Sequence, residues 1–368
     1  MKNIITYTKE TFDTFETRPF CSVDSLILST LSYIHFPDVL PEIEGWKGMT
    51  LQQLYRAEFF EEMFHGILTA EDTQKLFIAI AASPRFRNIR VMGYTEQFDP
   101  VTEKQFSAVS FQISPALCYI AFRGTDSTFI GWKEDFNMAF KCPIPSQEEA
   151  VRYLEKAALY CSGTIYTGGH SKGGNLAVYA SAMCRKNVQN RIERIFSHDG
   201  PGFMEETLES EEFQKILPRV EKTMPQSSIV GFLLENQKDY RIVKSNQIGG
   251  IMQHDPFTWI LEHHDFVYPE KLTKDAKYAD RTLSDWLKQL SEEDRERFID
   301  SLYSVLNTNH LTTLEDFRAD WHKNIPAAIH AASQLDADTK KFLMHTLKEL
   351  ASLGIKNISL FGKEQKET

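Results

Sequence analysis

The chain is constrained most by one ten-residue run, Gly168-Gly169-His170-Ser171-Lys172-Gly173-Gly174-Asn175-Leu176-Ala177. A strand is predicted just before it, at Thr164–Thr167, and a helix at Ser171–Cys184. Gly169, Ser171 and Gly173 form G-x-S-x-G, in which the serine occupies a strained strand-to-helix turn and the glycines let strand and helix approach each other. The run has neither the order of a P-loop nor that of a dinucleotide-binding loop. It therefore predicts a nucleophile elbow with Ser171 as the nucleophile.

The segments around the elbow alternate between predicted strands and helices. Three consecutive strands are predicted first, the first two as a hairpin: Asn88–Phe98, Lys104–Ile113 and Ala116–Phe122. Helices at about Gly131–Phe140 and Ser146–Tyr160 precede the elbow, and later strands are predicted at Arg194–Phe196, Ser228–Leu234 and Tyr240–Val243. Such alternation is typical of a mostly parallel sheet covered by helices on both faces.

Three regions follow from this pattern. Residues 1–85 are predicted to be a mostly helical segment packed on the body, with amphipathic stretches at Ser22–Tyr33 and Leu51–Phe64. Residues 86–275 would form the α/β core. Residues 276–368 are predicted to form a helical cap or C-terminal subdomain, with helices suggested at Leu283–Leu290, Ser291–Leu306, Thr313–His322 and Pro326–Leu353.

A second motif lies at the end of a predicted strand, Tyr119-Ile120-Ala121-Phe122-Arg123-Gly124-Thr125-Asp126, and Trp132 and Asp135 follow it. An oxyanion hole behind an elbow takes one N–H from the residue after the nucleophile and another from the loop after an earlier strand. The predicted donors are therefore Lys172 and Thr125.

The two motifs together resemble the class 3 lipase branch of the α/β-hydrolases, in which F-R-G-[ST] precedes a G-H-S-x-G-G elbow. With Asp199-Gly200-Pro201-Gly202-Phe203 and Gln253-His254-Asp255-Pro256, the chain more closely resembles the Mbeg1-like (DUF2974) family of hydrolase-like proteins. The resemblance covers roughly Ser22–Trp259 and implies an α/β-hydrolase fold. Lys172 departs from typical lipases, in which Leu is common at this position, and would put a cation beside the oxyanion site.

The acid and the base of a triad are expected after the serine, in the order Ser, Asp or Glu, His. Three acids follow predicted strands: Asp199, Glu235 and Asp239. Asp199 is favoured because a rigid Gly200-Pro201-Gly202 turn follows it, a run that resembles the acid turn of pancreatic-type lipases, and Asp239 is the alternative.

His254 is the leading base because it follows a glycine-containing loop after the last predicted strand. His170 is expected to pack or to support the site. His263 and His264 are expected in a helix, and their spacing does not suit a metal site.

Charge and cysteine content restrict the partners and the compartment. Lys and Arg number 41 against 51 Asp and Glu, so the formal charge is 41 − 51 = −10, which argues against nucleic acid. Neither a signal peptide nor a membrane-spanning run is recognised. Five scattered cysteines without a CxxC pair favour reduced thiols in the cytoplasm, and the sequence indicates no oligomeric state.

The residues predict a serine hydrolase that cleaves a carboxylic ester or thioester through Ser171, His254 and Asp199. No cofactor and no metal are implied, and the expected substrate is a small acyl ester or a lipid-like ester. A thioesterase or a peptidase would use the same residues. A non-catalytic binding or scaffold protein that retains the hydrolase fold is the hypothesis from another class.

Overall fold

One eight-stranded sheet organises the described part of the chain. The computed structural model describes residues 1–37, 45–126, 141–228, 239–247, 250–269 and 335–346, together with 134, 137–138, 230–232, 234, 286, 290–291, 293–294, 297–298, 301 and 348–349. The strands lie side by side in sequence order: β1 Met49–Thr50, β2 Arg90–Asp99, β3 Lys104–Ser114, β4 Leu117–Phe122, β5 Thr164–His170, β6 Ile192–His198, β7 Val220–Pro225 and β8 Tyr240–Val243. Strands β1 to β4 pair antiparallel and β4 to β8 pair parallel, which confirms the predicted α/β class with a mostly parallel sheet.

Most of the described helices fall into an N-terminal set and a set between the strands. The first comprises α1 Ile4–Glu10, α2 Ser22–Leu31, α3 Phe60–Phe64 and α4 Ala70–Ala82. The second comprises α5 Pro145–Tyr160, α6 Lys172–Met183, α7 Lys186–Gln189, α8 Glu205–Glu209, α9 Glu211–Ile216 and α10 Gly250–Gln253. Short 3-10 helices lie at Ala57–Phe59, Leu217–Arg219, Val230–Phe232 and Pro256–Thr258, and a small hairpin is formed by β9 Leu261–Glu262 and β10 Asp265–Phe266.

The sequential strand order explains why the N-terminal helices are needed. Right-handed crossovers between parallel strands in sequence order place their helices on the same face of the sheet. Consistent with this, α5, α6 and α9 contribute to one core cluster, through residues such as Leu154, Leu176 and Phe213. The opposite face is covered by α1, α2 and α4, which pack Ile4, Leu26, Phe77 and other side chains against Tyr119 and Phe196 of the sheet.

A buried ion pair joins the N-terminal helices to one another. Arg85 donates to Asp24 at 2.6 Å, and both side chains are fully buried. Arg85 also donates to the backbone carbonyls of Asp13, Arg18 and Pro19, and Asp24 accepts the N–H of Cys21 at the start of α2. Because every strong donor and acceptor of the pair has a partner, the pair is tolerated inside the protein.

Several expected elements differ from the structure. The predicted helix Leu51–Phe64 is wrong over most of its length, since it contains turns, a 3-10 segment and only the short α3. The predicted strand Ser228–Leu234 is also wrong: a 3-10 helix lies at Val230–Phe232, and the strand is β7 at Val220–Pro225. His263 and His264, expected in a helix, form the turn between β9 and β10, where both have positive φ.

The predicted helix Gly131–Phe140 falls mostly outside the described residues, of which Glu134 and Asn137 are helical. Of the helices expected in the C-terminal region, residues 337–346 are helical as expected within Pro326–Leu353. The segment expected at Thr313–His322 lies outside the described residues. Within the described residues, no helix combines the length and the apolar character needed to cross a bilayer.

Candidate active site

The carboxyl ends of β4, β5, β6 and β7 meet at one edge of the sheet. The last residue pairs of these strands are Phe122 with Gly169, His170 with His198, and His198 with Thr223 at the end of the β6–β7 ladder. The loops that follow therefore bring Thr125, Ser171 and Asp199 to the same edge. Ligand sites in parallel sheets are built at such an edge.

Ser171 occupies a strained turn between β5 and α6. Its φ is 58° and its ψ is −135°, values that a non-glycine residue rarely adopts and that raise the energy by about 1–3 kcal/mol. The flanking glycines allow the turn, because a Cβ on Gly169 would lie 2.2 Å from the Gly173 carbonyl carbon and one on Gly173 would lie 2.0 Å from the Phe122 oxygen. The Ser171 N–H donates to the carbonyl of His198 at 2.9 Å. The sequence prediction of an elbow matches this local geometry.

Asp199 follows β6 and is fully buried, with a φ of 50°. Its N–H donates to the Thr223 carbonyl at 2.7 Å, which ties the residue to β7. One carboxylate oxygen, Oδ2, lies 2.6 Å from His254 Nδ1, and the other, Oδ1, accepts the Ser228 hydroxyl at 2.5 Å. The alternative acid, Asp239, is exposed just before β8, and Glu235 lies outside the described residues.

His254 follows α10, and contacts of the preceding Gln253 hold this part of the backbone in place. Its side chain is 21% exposed, so one edge of the ring meets solvent while Nδ1 faces Asp199. The carbonyl of the preceding Gln253 accepts the indole N–H of the fully buried Trp259 at 2.9 Å. The Gln253 side chain accepts the N–H of Ser227 at 2.8 Å, which joins this loop to the one after β7.

His170 contacts both the backbone and the ring of His254. His170 Nε2 donates to the His254 carbonyl at 2.8 Å, and the two rings pack with their planes tilted by 33° and their centroids 4.5 Å apart. This bond fixes the proton on Nε2, so Nδ1 accepts from the Tyr33 hydroxyl at 3.2 Å. Burial, and secondarily the neighbouring His254, holds the pKa of His170 well below its usual value, so the ring is neutral.

Contacts of neighbouring residues link Ser171 to His254 and to Asp199. His170, which contacts His254, directly precedes Ser171, and His198, which accepts the Ser171 N–H, directly precedes Asp199. His198 is itself buried between the hydroxyls of Ser25 and Thr223, and burial lowers its pKa to about 3. The edge of the sheet therefore carries neutral, immobilised imidazoles around the Asp199–His254 pair.

The two predicted oxyanion donors lie on either side of the elbow. Lys172 is the first residue of α6, where backbone N–H groups have no partner within the helix. A Cβ on Gly124 would lie 3.0 Å from the Ser171 Cβ, so the chain that leads to Thr125 packs directly against the elbow. Thr125, the residue after Gly124, is half-buried.

The Lys172 side chain differs from expectation. The sequence suggested a cation beside the oxyanion, but the ammonium is fully buried, donates to the Gln105 carbonyl at 2.9 Å and forms an ion pair with Glu134 at 2.9 Å. The Glu134 carboxylate therefore compensates the charge of the ammonium inside the protein. The lysine stem leaves the helix end in the direction of β3 rather than toward solvent.

The helix behind the serine also holds the acid turn. Asn175 donates to the carbonyl of Gly202 at 2.8 Å, and its own side-chain oxygen accepts from Gln147 of α5 at 2.8 Å.

Behind Asp199, the buried Lys222 of β7 donates to the Gly231 carbonyl at 3.1 Å. Burial lowers the pKa of Lys222 to about 7, while the Asp199 charge acts in the opposite direction.

Sequence reasoning missed two residues of this region, Ser228 and Glu134. Ser228 lies in a segment predicted as strand, and its hydroxyl binds the second oxygen of Asp199. One feature of the sequence pointed to a residue such as Glu134: Lys172 lies at the start of a buried helix, and a buried lysine requires an acidic partner. Nothing in the local sequence singles out Ser228.

The turn residues His263 and His264 lie away from this cluster. His264 Nδ1 is 3.0 Å from the Thr11 hydroxyl, and the ring packs edge-on against Tyr7. Among the described residues, no group of three or more His, Cys, Asp or Glu side chains is arranged to hold a metal ion.

A model of the Mbeg1-like family matches residues 80–304. No curated protein matches the sequence significantly. Among solved structures, the chain is similar to a Rhizomucor miehei lipase in complex with its propeptide, with 12% identity over 60% of this chain and 66% of that chain and a TM-score of 0.35. The chain thus spans slightly less than two thirds of that lipase chain. It is also similar to M37 lipase, with 15% identity over 56% of this chain and 68% of that chain and a TM-score of 0.32.

Proposed function

The chain belongs to the Mbeg1-like family, and we propose that it is a serine hydrolase of carboxylic esters or thioesters. The observation that carries the proposal is the hydrogen bond between Asp199 and His254 beside the strained turn of Ser171. A serine hydroxyl is a weak nucleophile unless a base and an orienting acid converge on it. The three residue types, their chain order and their proximity support this assignment.

The proposed reaction proceeds through an acyl-enzyme. Ser171 Oγ attacks the carbonyl carbon of the ester while His254 Nε2 takes the hydroxyl proton, and Asp199 stabilises the resulting imidazolium through Nδ1. Collapse of the tetrahedral intermediate breaks the bond to the leaving alcohol or thiol, which receives the proton from His254. A water molecule, deprotonated by the same imidazole, then attacks the acyl-enzyme and releases the carboxylic acid and the free Ser171.

The oxyanion formed in each step would accept hydrogen bonds from the backbone N–H groups of Thr125 and Lys172. In comparable sites, each such donor lowers the barrier by roughly 2.7–4 kcal/mol. The dipole of α6 adds to this stabilisation, since its N-terminus begins at Lys172 and carries partial positive charge. These contributions act only once negative charge has developed on the substrate oxygen.

The proposed substrate is a small acyl ester or a lipid-like ester in the cytoplasm. The negative formal charge of −10 favours uncharged esters over anionic surfaces. The five cysteines are free thiols, in keeping with a reducing compartment. An amide substrate would require the same residues, so leaving-group preference separates an esterase from a thioesterase or a peptidase.

Turnover of short esters tests the proposal. We expect purified protein to hydrolyse p-nitrophenyl butyrate, and Ser171→Ala to lower kcat by about 10³-fold to 10⁶-fold while the circular dichroism spectrum stays unchanged. A butyryl thioester and a butyryl anilide, assayed in parallel, rank the leaving groups. Equal turnover by wild type and Ser171→Ala would contradict the proposal. A folded wild type with no turnover of any of the three compounds would favour a non-catalytic binding protein.

A further inference from the structure

The Lys172 ammonium and the Glu134 carboxylate form an ion pair that is shielded from water on all sides. Both side chains are 0% exposed, and their charged atoms are 2.9 Å apart. Lysine and glutamate are rarely buried to this extent, because removing both charges from water is unfavourable and hydrophobic residues of similar volume often serve at least as well for stability. Its position directly after the elbow serine distinguishes it from the equally buried Asp24–Arg85 pair.

The pair joins three elements at the edge that carries Ser171. Lys172 is the first residue of α6, and its ammonium also donates to the Gln105 carbonyl at 2.9 Å, near the start of β3. Glu134 accepts the N–H of Gln105 and the N–H of Ser146, at the start of α5, both at 3.1 Å. The carboxylate thus has three donors, and each of them lies on a different element.

The same cluster reaches the second proposed oxyanion donor. The Gln105 side chain is almost fully buried, and its Oε1 accepts the N–H of Asp126 at 3.4 Å and lies 3.5 Å from the Lys172 ammonium. Asp126 directly follows Thr125. The Gln105 side-chain amide therefore links the Lys172 side chain to the backbone next to Thr125.

We infer that the Lys172–Glu134 ion pair, together with Gln105, sets the spacing between the Lys172 and Thr125 N–H groups in the oxyanion hole. This inference rests on the proposed function. In the proposed reaction, the backbone N–H of Lys172 contacts the reacting oxygen. The Lys172 side chain, Glu134 and Gln105 are positioning groups. The buried glutamate fixes the first turn of α6 relative to β3, and Gln105 fixes the backbone after Thr125 relative to the same point.

The inference predicts a specific kinetic signature. Oxyanion contacts strengthen only in the transition state, so misplacing the donors lowers kcat while KM is retained. Removing one donor outright lowers kcat by about 10²-fold to 10³-fold, and a displaced donor retains part of its effect. We expect Lys172→Met combined with Glu134→Gln to lower kcat about 10-fold to 100-fold, with KM within about twofold of the wild-type value.

A matched control is available in the fully buried Asp24–Arg85 pair, which lies among the N-terminal helices. Arg85→Met combined with Asp24→Asn removes an equally buried ion pair that contacts none of the proposed donors. The control is expected to unfold at lower urea concentration while kcat of the folded enzyme stays within about twofold of wild type. Kinetics are measured on p-nitrophenyl butyrate at a temperature where urea titration shows every variant to be folded.

The experiment separates the possible failures. If Lys172→Met with Glu134→Gln is folded and its kcat equals that of the control, the pair is structural only and the inference is overturned. Should that variant not fold, Gln105→Met leaves the ion pair in place and removes the link to Asp126, and an unchanged kcat there overturns the inference as well. Absence of Ser171-dependent turnover in the wild type would instead overturn the proposed function, and this inference with it.

Discussion

At the scale of single residues, the site depends on how each imidazole is held. His254 donates its Nδ1–H to Asp199, and its carbonyl accepts the Nε2–H of His170, so both the ring and the backbone are fixed. Ser228 occupies the other oxygen of Asp199, which leaves the carboxylate one orientation in which to face the histidine. In the proposed reaction, the ring nitrogen opposite Asp199, His254 Nε2, is the general base.

The choice between the two candidate acids leads to a paired prediction. Asp199→Asn should lower kcat by about 10⁴-fold, because an amide at this position favours the wrong tautomer of His254. Asp239→Asn should leave kcat within about twofold, since Asp239 is exposed just before β8. Steady-state hydrolysis of p-nitrophenyl butyrate measures both. A large loss for Asp239→Asn with none for Asp199→Asn would reverse the assignment.

The residues that the sequence predicted for the site differ in how far local sequence could identify them. Ser171 is recognisable because its glycine neighbours are required by the turn itself. Asp199 and His254 are recognisable only by chain order, since the bond between them joins residues 55 positions apart. Lys172 begins α6, directly after Ser171, as the predicted helix implies. The direction of its side chain depends on Glu134 in another element, which no local pattern specifies.

At the scale of elements, the N-terminal helices are an integral layer of the protein. Sequential parallel strands leave one face of the sheet uncovered by their own crossover helices, and α2 fills that face with residues such as Leu26. The layer also reaches the site, because Tyr33 follows α2 and bonds to His170, and Ser25 within α2 bonds to His198. Damage to this layer is expected to affect the whole fold.

A core truncation in α2 tests this point. Leu26→Ala should lower the free energy of unfolding by about 2–5 kcal/mol, because Leu26 is fully buried and the change leaves a cavity. Leu159→Ala in α5 is the matched control, since Leu159 is 77% exposed and its loss should change the free energy by less than about 0.5 kcal/mol. Urea denaturation measures both. Equal, small effects would mean that the N-terminal layer contributes little to stability.

The strand predicted at Ser228–Leu234 is wrong, and β7 was not predicted, because tertiary contacts rather than apolar content decide which segment joins the sheet. Strand β7 reads Val-Glu-Lys-Thr-Met-Pro and lacks an apolar run, yet it is mostly buried because its polar side chains have partners inside the protein. Glu221 pairs with Arg194, and Lys222 donates to Gly231. In contrast, the segment Ser228–Leu234 is apolar enough for a strand but contains a 3-10 helix at Val230–Phe232, and the Ser228 hydroxyl accepts the Gly231 N–H.

At the scale of the whole molecule, buried neutral histidines make stability depend on pH. The pKa of His198 falls to about 3 in the folded protein from 6.5 in the unfolded chain, so below pH 6.5 the unfolded chain binds a proton that the folded protein does not. Proton binding at His198 therefore does not reduce the free energy of unfolding above pH 6.5. Below pH 6.5 it reduces that free energy progressively, until the pH reaches about 3. The loss is about 1.4 kcal/mol per pH unit for this group.

Urea titrations at pH 7, 6 and 5 test this dependence. The free energy of unfolding should decrease with falling pH, and His198→Gln should reduce that slope by about 1.4 kcal/mol per pH unit below pH 6. His345→Gln serves as the surface-substitution control, because the His345 side chain is 68% exposed. An identical slope in wild type and His198→Gln would show that His198 is not held neutral.

The central claim is that Ser171 is a nucleophile activated by His254, and covalent labelling tests it most directly. Wild type, Ser171→Ala and His254→Ala are incubated with a fluorophosphonate, and intact mass and peptide mapping locate the adduct. We predict one adduct on Ser171 in the wild type, none in Ser171→Ala, and labelling slowed by about 10³-fold or more in His254→Ala. A folded wild type without an adduct, or an adduct that persists in Ser171→Ala, would contradict the claim.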